Sequence, residues 1–182
     1  MLITVGVGDL KISRNPEDRI ITHALGSCLG ITVYDPVARV GGMLHAMLPL
    51  STIDPAKAAE NPYMCVDTGV PRLFLDSYKA GARKERLIVC AAGGSSPTGR
   101  DHEDFFQIGN RNVVMLRKLL WKNGVVLKAS DLGGFDARTL WLDLAAGEVT
   151  LRSNGAERRL AGPAEAGETP AAPAAREAGL AA

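Results

Sequence analysis

Residues 25–48 read Leu25-Gly26-Ser27-Cys28-Leu29-Gly30-Ile31-Thr32-Val33-Tyr34-Asp35-Pro36-Val37-Ala38-Arg39-Val40-Gly41-Gly42-Met43-Leu44-His45-Ala46-Met47-Leu48. Two runs rich in apolar and β-branched residues, 29–34 and 40–48, flank the turn-forming pair Asp35-Pro36, which is the pattern of a β-hairpin. Moving outward, residues 2–7 have the same strand character, as do 87–92, 125–129, 139–144 and 148–152, the last two joined by a turn at Ala146-Gly147. Two stretches have a helical period instead. In 67–79, Val70, Leu73, Phe74 and Tyr78 share one face and Gly81 follows as a stop; in 110–123, Val113, Leu116, Leu119 and Leu120 oppose Lys118 and Lys122 ahead of Gly124. Strands that outnumber the helices interleaved with them predict a sheet-rich α/β domain.

A chain of 182 residues and 19.2 kDa fits one domain and buries a core large enough to fold without metal or disulfide staples. Its 21 Lys and Arg against 20 Asp and Glu leave a net charge of +1, which speaks against non-specific nucleic-acid binding. No apolar run reaches the ~18–20 residues of a membrane span, and Met1-Leu2-Ile3-Thr4-Val5 lacks the basic start of a signal peptide. Three cysteines without a C-x-x-C pair predict no disulfide framework and no metal site, and a reducing, cytoplasmic compartment. Of the last 22 residues, 16 are Ala, Gly or Pro and none is aromatic, too little apolar surface to offset the entropy of ordering them. The expected division is a folded domain over 1–154 and a disordered Ala/Pro/Gly-rich tail over 155–182, with Glu157-Arg158-Arg159 as the tail's solvated entrance.

Cys28 sits among small residues at the mouth of an apolar strand. Glycines there permit tight backbone geometry and clear space around a thiol, and neighbouring amides can face a developing oxyanion. A free cysteine in such company is either a small buried hydrophobe or a nucleophile, and the segment by itself leaves both open. A nucleophilic thiol needs a base. Of the three histidines, His45 lies 17 residues on, in the second strand of the expected hairpin, so pairing of the two strands brings it near Cys28, in a register the sequence does not reveal. Full ionisation of a free thiol raises the nucleophile population by a factor of roughly 30, whereas one oxyanion donor supplies on the order of 10²–10³. The glycines around Cys28 therefore matter as much as the thiol.

Other candidates fall away. Gly94-Ser95-Ser96-Pro97-Thr98-Gly99-Arg100 follows a strand but lacks the Lys-Ser/Thr ending of a phosphate loop. Gly6-Val7-Gly8 precedes no helix and is too short for a dinucleotide fingerprint. Cys65 and Cys90 stand in apolar company as core residues, while His102 and the Glu103-Asp104 pair read as solvated surface. No cofactor is expected.

Leu25-Gly26-Ser27-Cys28, Gly42-Met43-Leu44-His45-Ala46-Met47-Leu48-Pro49, Val66-Asp67-Thr68, Gly93-Gly94, Ile108-Gly109-Asn110-Arg111-Asn112 and Asp131-Leu132-Gly133-Gly134 with Arg138 occur in that order. As an ordered set they resemble the chemoreceptor glutamine deamidase family, CheD, over roughly residues 3–152. The resemblance implies a compact α/β sandwich of sheets flanked by helices. It puts the catalytic roles on Cys28, His45 and Thr22, with Ser27 and Gly26 at the oxyanion and substrate-positioning loop; only the resemblance singles out Thr22. It implies hydrolysis of receptor glutamine side chains to glutamate through a cysteine thioester, together with receptor methylesterase activity. The implied partners are the chemoreceptor cytoplasmic domain and a CheC-type phosphatase. The alternatives are a non-catalytic module that binds receptors and that phosphatase, and an unrelated cysteine hydrolase acting on a small amide or thioester. Two features depart from the family pattern: Cys90-Ala91-Ala92 precedes Gly93 where bulkier apolar residues are usual, with Ser-Ser-Pro-Thr after Gly94, and the Ala/Pro tail has no counterpart.

Overall fold

The computed structural model describes residues 1–96 and 106–162. Among these, ten strands form two five-stranded sheets. The first sheet runs β1 (Leu2–Thr4), β3 (Arg19–Leu25), β8 (Arg138–Asp143), β9 (Glu148–Ser153), β10 (Ala156–Ala161). The second runs β2 (Asp9–Ser13), β5 (Val40–Ala46), β4 (Leu29–Asp35), β6 (Ile88–Gly93), β7 (Ala129–Leu132). Helix α1 (Pro55–Glu60) is short and buries nothing, whereas α2 (Val66–Lys79) and α3 (Ile108–Lys122) carry the apolar faces read from the sequence.

Three layers result. Ile20, Leu25, Met43, Cys90, Leu140 and Leu151 belong to one core, built from both sheets. Leu29, Ile31, Val33, Leu44, Leu73 and Leu116 belong to another, between the second sheet and α2 with α3. The second sheet is thus the middle layer, and all seven residues of β4 and all seven of β5 are buried. A strand covered on both faces reads as a continuous apolar run, which is why this hairpin stands out in the sequence. Its pairing is antiparallel from Asp35 opposite Val40 to Leu29 opposite Ala46, with Gly30 opposite His45.

Both expected helices form with ends shifted by one or two residues, and the sandwich expectation holds, with α2 and α3 together on the second sheet. Three readings change. Residues 125–128 are not strand: Val125 and Leu127 pack against the helix-side core as a connection, and the strand occupies 129–132. Strands β2 and β3 were not expected. The boundary at 154 falls inside the first sheet, because Ala156–Ala161 pair antiparallel with β9. The charged run expected at the tail's entrance is part of that strand, with Arg158 paired to Asp131 and Arg159 to Glu148 at 3.1 Å. Residues 163–182 of the expected tail, together with 97–100, His102 and Glu103-Asp104, lie outside the described residues.

Candidate active site

Thr22 lies on β3 in the first sheet and His45 on β5 in the second. Both side chains are buried, and they meet across the seam, with Thr22 Oγ1 2.7 Å from His45 Nδ1. Thr22 Oγ1 also lies 2.8 Å from the Val5 carbonyl oxygen. A carbonyl only accepts, so the single hydroxyl proton goes to Val5 and the Thr22 oxygen accepts from His45. That places the imidazole proton on Nδ1 and leaves the lone pair on Nε2, which is buried and has no hydrogen-bond partner.

Cys28 belongs to the loop 26–28 joining β3 to β4 and is half-buried. The loop is entered through a β-bulge: Thr22 opposes Leu140 and Leu25 opposes Arg138, with one extra residue on β3 and Ala24 at φ 56. Bulges re-aim a strand, and here the bend turns the chain from one sheet into the other. Across the sheet, the Gly94 amide donates to the Cys28 carbonyl (2.9 Å) and the Ser95 amide to the Gly26 carbonyl (2.9 Å). A Cβ on Gly93, at φ 111, would stand 2.1 Å from the Cys28 carbonyl oxygen, so only glycine lets the end of β6 lie this close to the cysteine loop. Among the described residues, the amides of Ser27 and Cys28 donate to no backbone carbonyl.

Burial pushes the Cys28 thiol above its ordinary value, with its own backbone amide opposing the shift. Burial lowers His45 to about 4. Both shifts favour the neutral forms, a thiol at Cys28 and an uncharged imidazole at His45, and no hydrogen bond joins His45 Nε2 to the thiol. Cys65 and Cys90 are fully buried, as expected of core residues. Among the described residues no cluster of His, Cys, Asp and Glu could hold a metal. A groove of about 660 Å³, lined among others by Gly94, Asn110, Val114, Arg117 and Phe135, adjoins the cysteine loop through Gly94. A second groove of about 350 Å³, between α2 and α3, contains none of these residues.

The family model for CheD chemotactic sensory transduction matches residues 47–153. A relative in Solibacter usitatus (strain Ellin6076), named probable chemoreceptor glutamine deamidase CheD, is 48% identical over 158 residues, covering 87% of this chain and 92% of that protein. The chain belongs to the CheD family. A CheD relative in Syntrophus aciditrophicus (strain SB) is 43% identical over 157 residues, covering 86% of this chain and 97% of its own length. One in Pyrococcus abyssi (strain GE5 / Orsay) is 42% identical over 150 residues, covering 82% and 90%. Both carry the probable chemoreceptor glutamine deamidase name. The span matched by the CheD model begins two residues after His45 and so does not reach Thr22, Cys28 or His45; the structure joins Thr22 to His45 by a hydrogen bond and leaves Cys28 without one to either.

Sequence reasoning about single residues had missed the Val5 carbonyl, Gly93 as a close-approach glycine, and Asn112. The last left a signal. Asn112 is a polar residue on the buried face of α3, one turn before Leu116.

Proposed function

We propose that the protein deamidates glutamine side chains on the cytoplasmic helices of chemoreceptors, with Cys28 as nucleophile, His45 as base and acid, and Thr22 as the hydroxyl that orients the imidazole. The observation that carries this reading is the Thr22–His45 hydrogen bond between the two sheets, which leaves Nε2 unprotonated and unpaired on the strand that pairs with β4, the strand the cysteine loop enters. The relatives' name supplies the substrate class.

As glutamine enters, Nε2 takes the thiol proton while Sγ attacks the carboxamide carbon. The amides of Ser27 and Cys28 then receive the oxyanion. The C–N bond breaks as Nε2 returns the proton to nitrogen, and ammonia leaves a thioester. Water deprotonated by Nε2 adds to that thioester, the C–S bond breaks as Nε2 returns the proton to Sγ, glutamate leaves, and the free thiol is restored. A glutamate methyl ester reaches the same thioester with methanol departing, so methylesterase activity belongs to this proposal. Gly26 adds no side chain beside the loop, and the adjoining groove suits a substrate presented on another protein's surface. The reaction places the enzyme in the cytoplasm with the receptor domains. A CheC-type phosphatase is the partner that the family resemblance supports.

The test is mass spectrometry of a purified receptor cytoplasmic fragment after incubation with the protein, with Cys28→Ala as control. Gln-to-Glu conversion at discrete sites, absent with the variant, is expected. No conversion by the folded protein across several receptors would reject the enzyme in favour of a binding module.

A further inference from the structure

We infer that Asn112 is a positioning residue that holds the nucleophile's loop and the base's strand at a fixed separation. The inference rests on Cys28 and His45 being the reacting pair. Asn112 is fully buried on α3. Its Nδ2 donates to the Ser27 carbonyl (2.8 Å) and to the Met47 carbonyl (2.9 Å). Both partners only accept, so the carboxamide's orientation is settled: reversing it would aim Oδ1 at two carbonyl oxygens. The cost is that Oδ1 is left buried without a partner. A side chain selected for packing alone would carry no such penalty.

The position explains the expense. The β4–β5 ladder ends at Leu29 opposite Ala46. Beyond it one chain continues back to Cys28 and Ser27, and the other continues to Met47. Each end is tied elsewhere, Gly26 and Cys28 to Ser95 and Gly94 and Met47 to Met64, but among the described residues no backbone hydrogen bond joins the two ends to each other. Asn112 bridges Ser27, the residue before the nucleophile, to Met47, two residues after His45. One side chain thus supplies the rung that the backbone does not. A small splay would withdraw Cys28 from Nε2 while leaving the Thr22–His45 bond intact. Misplacements of this size are what proximity catalysis does not tolerate.

The experiment is a double-mutant cycle on the rate of Cys28 alkylation by iodoacetamide at pH 7.5, a readout that needs no receptor. Asn112→Leu keeps the branched shape and removes both donated bonds, while Asn112→Ala leaves room for a water to hydrate the two carbonyls, so failure of one variant to fold leaves the other as the test. Expected is a slowing of roughly tenfold on either substitution when His45 is present, and less than twofold in a His45→Ala background. Deamidation of a receptor fragment should show the same loss in kcat with KM within about twofold. Leu120→Ala, a buried change on the same helix that touches neither loop, should lower Tm and leave alkylation unchanged. Equal slowing with and without His45, or no slowing, overturns the inference and leaves the catalytic pair standing. Alkylation in the wild type no faster than in His45→Ala overturns the pair itself.

Discussion

From the Val5 carbonyl through Thr22 to His45, each hydrogen has one place to go, and the chain of donors ends on an empty Nε2. A neutral hydroxyl at Nδ1 fixes the tautomer without adding a buried charge, so the imidazolium formed during catalysis gains less than it would from a carboxylate. The residues should therefore rank. Cys28→Ala and His45→Ala remove a reacting group, and the loss of general acid–base chemistry alone is on the order of 10²–10⁴. Thr22→Ala loosens only the orientation and should cost less, up to about 10²-fold, measured as receptor deamidation by folded variants. Equal and complete loss in all three would reject the ranking. The pH profile belongs to the same atoms. Burial holds His45 at about 4, so the base stays unprotonated through the neutral range. The acid limb of kcat/KM should fall below pH 5; a limb centred on the ordinary histidine value of 6.5 would show a solvated or ion-paired imidazole instead.

Strands place these residues through what they leave out as much as through what they carry. Gly30 faces His45 across the β4–β5 pair and points into the seam. A Cβ there would lie 2.7 Å from Leu25 Cδ1 and 3.2 Å from both Thr22 Cγ2 and Leu140 Cδ2. Gly30→Ala should cost about 1–3 kcal/mol by overpacking and should depress deamidation further by displacing Thr22. Gly26→Ala, whose Cβ would meet only Ser95 Oγ at 3.9 Å, should stay within about 0.5 kcal/mol of wild type. Urea unfolding of the two variants checks the contrast, and equal stability would contradict the packing at the seam. The same strands show what the sequence can and cannot display. The hairpin was legible because both its faces are buried, and α2 and α3 because their stripes repeat every 3.6 residues. Strands β2 and β10 are sheet edges with little buried surface, held by ladder bonds and, in β10, by ion pairs that leave no alternating pattern. In β3 the bulge at His23-Ala24 breaks the period of two. Cys28 and His45 could be singled out as a candidate nucleophile and base because one precedes and the other lies within the legible hairpin. Thr22 was visible only by family resemblance, because nothing in a strand's own sequence says which threonine will face a second sheet.

Across the whole molecule, the middle layer carries a buried titratable group toward each end of its central hairpin. His45 lies toward the end that adjoins the cysteine loop. Asp35 lies at the turn, fully buried, where the amides of Val37, Ala38 and Arg83 and the Arg86 guanidinium donate to its carboxylate. Burial alone would raise Asp35, but the Arg86 and amide bonds outweigh it and bring the group down from 3.8 to about 2. Both groups make the fold sensitive to acid, in separate windows. The unfolded chain takes up the histidine proton near 6.5 and the folded chain not until about 4. His45 therefore contributes its full stability above pH 6.5 and loses it progressively as pH falls to 4. At about 1.4 kcal/mol per unit the loss is on the order of 3 kcal/mol. Asp35 contributes above 3.8 and loses its share, on the order of 2 kcal/mol, as pH falls toward 2. Against a total of roughly 5–15 kcal/mol for a domain, the share lost in acid is substantial, although at neutral pH it is present in full. Urea unfolding between pH 7.5 and 4.5 should show this slope in the wild type and a markedly shallower one in His45→Gln, which has nothing to protonate. Asp35→Asn should instead keep the histidine slope and lower stability at every pH above 4. If His45→Gln loses stability with falling pH as steeply as the wild type, the imidazole is not held neutral by burial, and catalysis would have to begin from a charged pair.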